Sequence, residues 1–114
     1  MSDQATSGDA AARVVTVFRS RLRGEGAAEY DETAGRMVDI ASSMPGLVEV
    51  KTFSAEDAER VTLVTFESIE SHNAWRDHPE HRQAQRMGRE RFYSEYRIVV
   101  CAQLYEHSFI RDRT

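Results

Sequence analysis

The chain has 114 residues, of which 40% are hydrophobic and 30% are charged, and its formal net charge at pH 7 is -4. This size allows one domain with one hydrophobic core. The acidic balance argues against nucleic acid as a partner, because a phosphate backbone selects a basic surface. No apolar run approaches the roughly 20 residues that span a bilayer, so no membrane partner is expected either.

The first twelve residues, 1–12, are predicted to be a disordered lead-in, because they are small or polar and have nothing large to bury. They show neither the basic start nor the apolar stretch of a secretory signal. Cys101 is the single cysteine of the chain and cannot form an intramolecular disulfide. These features predict a cytoplasmic protein with one domain over residues 13–110 and a polar C-terminal tail over residues 111–114.

The first half of the domain alternates strand and helix signals. Residues 13–22 contain a β-branched run typical of a strand, and residues 27–43 place apolar side chains at helical spacing. Met44-Pro45-Gly46 should end that helix, since the residue before a proline disfavours the helical region and glycine tolerates the turn that follows. Two further strands, joined by a polar hairpin connection, are expected over residues 47–53 and 61–66.

The second half begins with a short helix over residues 68–77, whose opening serine can accept a backbone hydrogen bond. Pro79 fits the first turn of a helix, where its missing amide hydrogen costs nothing. A second helix is therefore predicted over residues 79–92, with a break at His78. A long strand over residues 97–105 completes the domain.

This β-α-β-β-α-β order predicts an α+β protein with the ferredoxin-like arrangement, in which an antiparallel four-stranded sheet carries both helices on one face. Phe18 should point to the helices. Val15, Val17 and alternate residues of the final strand would make the opposite face apolar, and an exposed apolar sheet is normally covered by a partner. We therefore expect a homodimer that packs sheet against sheet.

Three motifs accompany this element order: Met44-Pro45-Gly46-Leu47 before the second strand, Trp75 after Phe66-Glu67-Ser68, and His78-Pro79-Glu80-His81 at the helix break. With them, the chain resembles the antibiotic biosynthesis monooxygenase superfamily from Val14 to Phe109. The resemblance implies a dimeric α+β barrel with a ligand cavity in each subunit, between the helices and the sheet. The superfamily includes cofactor-independent oxygenases of aromatic polyketides and quinols, and haem-degrading enzymes.

The haem-degrading branch of the superfamily pairs a helix tryptophan with an axial histidine nine or ten positions later. Counting from Trp75 reaches Ala84 and Gln85, and neither is a suitable axial ligand. His78 or His81 could still approach an iron, since each lies within one or two helical turns of Trp75. A haem-binding or haem-degrading protein is therefore kept as the alternative function, with haem as the alternative cofactor.

The quinol and anthrone oxygenase branch implies a chemistry without metal or flavin. An electron-rich phenol or anthrone, once deprotonated, can pass an electron to dioxygen itself, so the protein has to bind, desolvate and deprotonate it. The resemblance places Trp75 and His81 in the cavity, and His81 is the predicted catalytic base because imidazole titrates near neutral pH. The predicted function is a cofactor-independent monooxygenase acting on an aromatic, quinol or polyketide-like small molecule.

Five further residues are predicted to bind the substrate beside the tryptophan. The asparagine that the family places one turn before this tryptophan falls on Ser71, with Asn73 nearby, and His78 lies at the helix break. Tyr93 and Tyr96 follow the second helix, and their hydroxyl groups could donate to a ligand oxygen.

Two expectations concern the remaining chemistry. His72 lies in a polar stretch and is expected to be solvated. The spacing of the histidines does not match the helix motif of zinc peptidases, so no metal site is predicted. Because a fold does not fix a function, a non-catalytic small-molecule-binding dimer of the same fold is kept as a second alternative.

Overall fold

The computed structural model describes residues 12–112, so residues 1–11 of the predicted lead-in lie outside the described part of the chain. The elements, in chain order, are β1 (Val14–Leu22), α1 (Ala27–Ser43), β2 (Leu47–Ser54), β3 (Arg60–Phe66), α2 (Ile69–Arg76), α3 (Pro79–Met87), a π-helical turn (Gly88–Phe92) and β4 (Tyr93–Ala102). The strands form one antiparallel sheet in the order β2-β3-β1-β4. This confirms the predicted ferredoxin-like α+β fold.

The last helix and the last strand differ from the prediction. The helix expected over residues 79–92 ends at Met87, and a π-helical turn leads into β4, which begins at Tyr93 rather than at residue 97 and ends at Ala102. The strand begins earlier because its pairing with β1 continues back to Tyr93 across a register shift. Gly88 allows the turn to lie against that tyrosine, since a Cβ there would be 2.6 Å from the ring.

The strand register sorts the side chains into two faces, because successive residues of a strand point to opposite sides. Phe18 of β1 points to the helices, as predicted, while Val15 and Val17 point to the other face. Leu63 of β3 and Val99 of β4, the two sheet partners of Val17, widen that second face. Within residues 12–112, the helices pack on the Phe18 side, so the second face carries an apolar band without a helix over it.

The hydrophobic core joins α1, β3 and α2 at one end of the sheet. Phe66 is fully buried at the end of β3 and packs with Ile40 and Ala41 of α1 and with Trp75 of α2. Aromatic side chains bury large apolar areas, so this cluster fixes both helices against the sheet. It therefore also sets the position of the indole of Trp75.

The turn between α1 and β2 is locked to the start of α2. Met44 ends α1 with an extended backbone, as expected ahead of Pro45. Gly46 has a φ of 87°, and its carbonyl oxygen accepts a hydrogen bond from the amide of Glu67 at 2.8 Å. A Cβ on Gly46 would lie 2.7 Å from Cβ of Ser71, so both the backbone angle and the close approach require glycine here.

Candidate active site

A cavity of about 380 Å³ lies between the helices and the inner face of the sheet, where the resemblance implied a ligand site. Its volume falls within the roughly 300–1,000 Å³ of typical small-molecule sites. Residues of all three α-helices and all four strands contribute to the wall, which is mostly apolar and aromatic. Such a wall suits a flat, hydrophobic ligand and removes it from water.

The break between α2 and α3 brings Trp75 and His81 together. Pro79 occupies the first position of α3, and Nδ1 of His78 caps that helix by accepting a hydrogen bond from the amide of Glu80 at 3.1 Å. Across this break, the rings of Trp75 and His81 stack with centroids 4.2 Å apart and planes inclined by 24°. Both rings line the cavity.

Ion pairs hold the same break from its outer side. Asp77 ends α2 and accepts hydrogen bonds from Nε of Arg76 at 2.9 Å and from Nη2 of Arg82 at 3.0 Å. The guanidinium group of Arg76, more than that of Arg82, lowers the pKa of Asp77 to about 2. The carboxylate therefore stays charged at neutral pH and keeps the two helices linked.

The imidazole of His81 is poised to accept a proton. Its Nδ1 lies 3.4 Å from the carbonyl oxygen of Arg76, and because a carbonyl only accepts, Nδ1 carries the hydrogen and Nε2 is left with the lone pair. Burial lowers the pKa of His81 below its usual value, and this outweighs the opposing effects of the backbone hydrogen bonds with Arg76 and Trp75. His81 is consequently neutral at pH 7 and can act as a base at Nε2.

Three predicted substrate-binding residues have other partners and are absent from the cavity wall. Ser71 forms a capping box with Ser68 at the start of α2, Oδ1 of Asn73 lies 3.1 Å from Nδ1 of His72, and His78 caps α3. Their contact with a substrate stays a prediction. The expectation for His72 was wrong: it is buried, lines the cavity and meets the ring of Phe66 edge-on.

Tyrosines form the other end of the cavity. Tyr93 and Tyr96, both predicted, lie in the wall and make aromatic contacts with each other and with Phe18. Burial, with a smaller effect from the neighbouring Tyr30, raises the pKa of Tyr93 well above its usual range. The phenol of Tyr93 therefore stays protonated at neutral pH, which makes it a hydrogen-bond donor and not a base.

Arg60, which the sequence analysis did not select, lies at this tyrosine end. Its guanidinium carbon is 5.5 Å from the ring centroid of Tyr30, within the range of a cation–π contact. Its Nε is buried and has no hydrogen-bond partner among residues 12–112. A buried donor without a partner costs about 1–3 kcal/mol, so an acceptor from a ligand or solvent would be stabilising at this position.

The positions that the haem-degrading branch uses for an axial ligand hold unsuitable residues in this chain. Ala84 and Gln85, the positions reached by counting from Trp75, both lie in the cavity wall and offer no suitable axial ligand. Within residues 12–112, no three side chains of histidine, cysteine, aspartate or glutamate come together as a metal-binding group. Of the two histidines that could approach an iron, His78 is absent from the cavity wall, and His81 lies in the wall with its ring stacked on Trp75, so haem stays the alternative prediction.

The family model of the antibiotic biosynthesis monooxygenases matches residues 13–87, which include the cavity-forming helices up to the end of α3. The chain belongs to this family. Uncharacterized protein YqjZ of Bacillus subtilis is 34% identical over 85 residues, which cover 75% of each chain. The resemblance recognised from the sequence motifs is therefore confirmed.

Solved structures show the same fold at low sequence identity. Rv0793 of Mycobacterium tuberculosis has a TM-score of 0.73 at 18% identity, over 84% of this chain and 99% of that chain. SnoaB, a cofactor-independent oxygenase of Streptomyces nogalater, has a TM-score of 0.67 at 16% identity, over 91% and 97% of the two chains. None of the helices in residues 12–112 combines the length and the apolar character that a membrane span requires.

Proposed function

We propose that this family member is a cofactor-independent monooxygenase of an aromatic quinol- or anthrone-like small molecule, with His81 as the general base. The observation that carries the proposal is the position of the His81 imidazole, which is stacked on Trp75 in a largely apolar cavity with Nδ1 3.4 Å from the carbonyl oxygen of Arg76. The fold that this chain shares with the cofactor-independent oxygenase SnoaB supports the assignment. A cytoplasmic location stays a prediction.

The reaction needs one proton acceptor and a dry, flat site. His81 would take the proton of the substrate, and the apolar wall would favour electron transfer from the resulting anion to dioxygen by excluding water. For an anthrone, one oxygen atom enters at the deprotonated carbon and becomes the new carbonyl oxygen. The other leaves as water, and all four electrons come from the methylene group, so no external reductant is required.

Oxygen uptake by chelator-treated protein tests this function. We expect uptake with anthrones and hydroquinones, and none above the uncatalysed rate with 10,10-dimethylanthrones and hydroquinone dimethyl ethers, because these have no acidic hydrogen left and cannot form the anion. An oxygen electrode measures both members of each pair under the same conditions. Saturable binding of both members without oxygen uptake would contradict the enzyme and favour the non-catalytic binding protein.

A homodimer is the second part of the proposal. The sheet face opposite the helices is apolar around Val17, Leu63 and Val99, and Val99 is 44% exposed in the single chain. Beyond β4, the side chains of Leu104 and Tyr105 are 72% and 80% exposed, so apolar surface continues into the segment that follows the strand. A surface of this kind is expected to be covered by a second copy of the chain.

Light scattering during size-exclusion chromatography measures the assembly. At micromolar concentration, we expect twice the chain mass of 13.0 kDa. Leu63→Asp should shift the mass to that of one chain, because a buried carboxylate at the interface would be unpaired. Ile69→Asp is the control, since Ile69 is 39% exposed at the start of α2, away from the sheet face, and a helix N-terminus accepts a negative charge. A single-chain mass for the unaltered protein would contradict the dimer.

A further inference from the structure

The tyrosine end of the cavity contains a cation, Arg60, that no carboxylate within residues 12–112 neutralises. Arg60 begins β3 and shares its row of the sheet with Ser20 of β1 and Tyr96 of β4, on the face that the helices cover. Among residues 12–112, no carboxylate oxygen lies within 4.0 Å of its guanidinium nitrogens. The charge therefore points to a partner from outside the described chain.

The carboxylates nearest in sequence are already engaged. Glu59 receives two hydrogen bonds from Arg19, at 2.7 and 3.0 Å, and the carboxylate of Asp57 is held by Arg21 at 2.8 Å. Both arginines also lower the pKa of the carboxyl group that they hold, so these acids stay ionised in their own pairs. Rearranging them toward Arg60 would break two existing ion pairs.

The surroundings of Arg60 suit the polar end of an aromatic ligand. The Tyr30 ring lies under the guanidinium group, and the protonated phenol of Tyr93 packs edge-on against Tyr30 with centroids 6.0 Å apart. Arginine and a phenol are both donors, and guanidinium presents its donors in a fork that matches an anionic oxygen. Nε of Arg60 is the buried donor that such an oxygen would satisfy.

We propose that Arg60 binds an anionic oxygen, carboxylate or phenolate, carried by the aromatic ligand of the cavity. This proposal deepens the proposed function. It rests on that function in one respect only, namely that the cavity is the ligand site. Arg60 and the core residue Phe66 begin and end β3, so their Cα atoms are roughly 20 Å apart at 3.3 Å per residue. A ligand that contacts Arg60 at one end of the cavity and the Trp75–His81 pair at the other would therefore be elongated.

Calorimetric titration with 2-naphthoate and its neutral analogue 2-naphthamide tests the assignment without any oxidation step. We expect the unaltered protein to bind the naphthoate about 10–100-fold more tightly, the range of a charge-assisted hydrogen bond. Arg60→Gln should remove this preference and leave the affinity for the amide unchanged, which also shows that the cavity is intact. Arg60→Lys should retain part of the preference, because it keeps the charge but loses the fork.

The matched control is Arg86→Gln, which makes the same change of charge on the exposed surface of α3 and should leave both affinities unchanged.

A third probe, 2-naphthol, separates the two sources of the anionic oxygen. If Arg60 binds phenolates, the bound naphthol will absorb as its red-shifted anion at a pH where free naphthol is neutral, and Arg60→Gln will abolish this shift. If the protein prefers naphthoate to naphthamide but bound naphthol shows no red shift, then Arg60 binds carboxylates and not phenolates.

Equal affinities of the unaltered protein for naphthoate and naphthamide, with no anion spectrum for naphthol, would overturn the proposal. An equal loss of affinity for naphthoate and naphthamide in Arg60→Gln would also overturn the proposal, because Arg60 would then only support the cavity wall. These outcomes are independent of oxygenase activity, since the naphthoate and amide probes have no oxidisable quinol. A protein that binds naphthoate through Arg60 but consumes no oxygen would refute the proposed enzyme and leave this site standing.

Discussion

Replacing His81 by phenylalanine is expected to lower kcat/KM for anthrone or hydroquinone oxidation by about 10²–10⁴-fold, the usual contribution of a positioned general base. Phenylalanine keeps an aromatic ring against Trp75, so the stacking at 4.2 Å and the shape of the cavity should survive. What is lost is Nε2, the nitrogen left unprotonated by the hydrogen bond of Nδ1 to the carbonyl of Arg76. Initial rates of oxygen uptake measure the effect.

His107→Ala is the matched control, because it removes an exposed histidine of the C-terminal segment and should leave the rate unchanged. The pH profile adds a signature that a merely structural role would not give. Burial lowers the pKa of His81, so kcat/KM should be constant at neutral pH and fall only as the pH drops through a value below about 6.5. The pH profile of His81→Phe should lack this fall in kcat/KM at low pH. Equal rates for His81→Phe and the unaltered protein would remove His81 from the mechanism.

The elements of the fold could be predicted from the sequence because their signals are local. Pro45 and Gly46 mark the end of α1, and the dipeptide His78-Pro79 marks the break that brings Trp75 and His81 together. The end of α3 could not be predicted in this way. Residues up to Phe92 continue a helical pattern, and only the pairing of β4 with β1, a contact distant in sequence, draws Tyr93 into the sheet.

The site residues differ in the same way: those with a recognisable sequence motif could be predicted, and those whose role depends on distant contacts could not. Trp75 and His81 were found because the tryptophan and the histidine motif are recognisable in the family. His72 was missed because its burial depends on Phe66, which β3 supplies across the core. Arg60 was missed because an arginine at the start of a strand is ordinary in sequence. Its significance comes from the inner face on which the register places it and from the absence of a carboxylate partner within residues 12–112.

Replacing Gly46 by alanine is expected to destabilise the protein by roughly 2–5 kcal/mol. A non-glycine residue with positive φ costs roughly 1–2 kcal/mol, and Gly46 has a φ of 87°. In addition, the new Cβ would lie 2.7 Å from both Cβ and Oγ of Ser71, and forcing an atom into packed surroundings costs roughly 1–3 kcal/mol. Urea unfolding followed by the fluorescence of Trp75 measures the change.

Gly24→Ala separates the two causes. Gly24 has a φ of 92°, but nothing lies within 4 Å of a Cβ placed there, so only the backbone cost of roughly 1–2 kcal/mol should appear. Ser71→Gly removes both atoms that the Gly46→Ala side chain would meet, so the double variant should lose less stability than the sum of the two single variants. If Gly46→Ala and Gly24→Ala are equally destabilising, the turn can move away from α2. The position of Trp75 would then depend on the Phe66 core alone and not on the contact between Gly46 and Ser71.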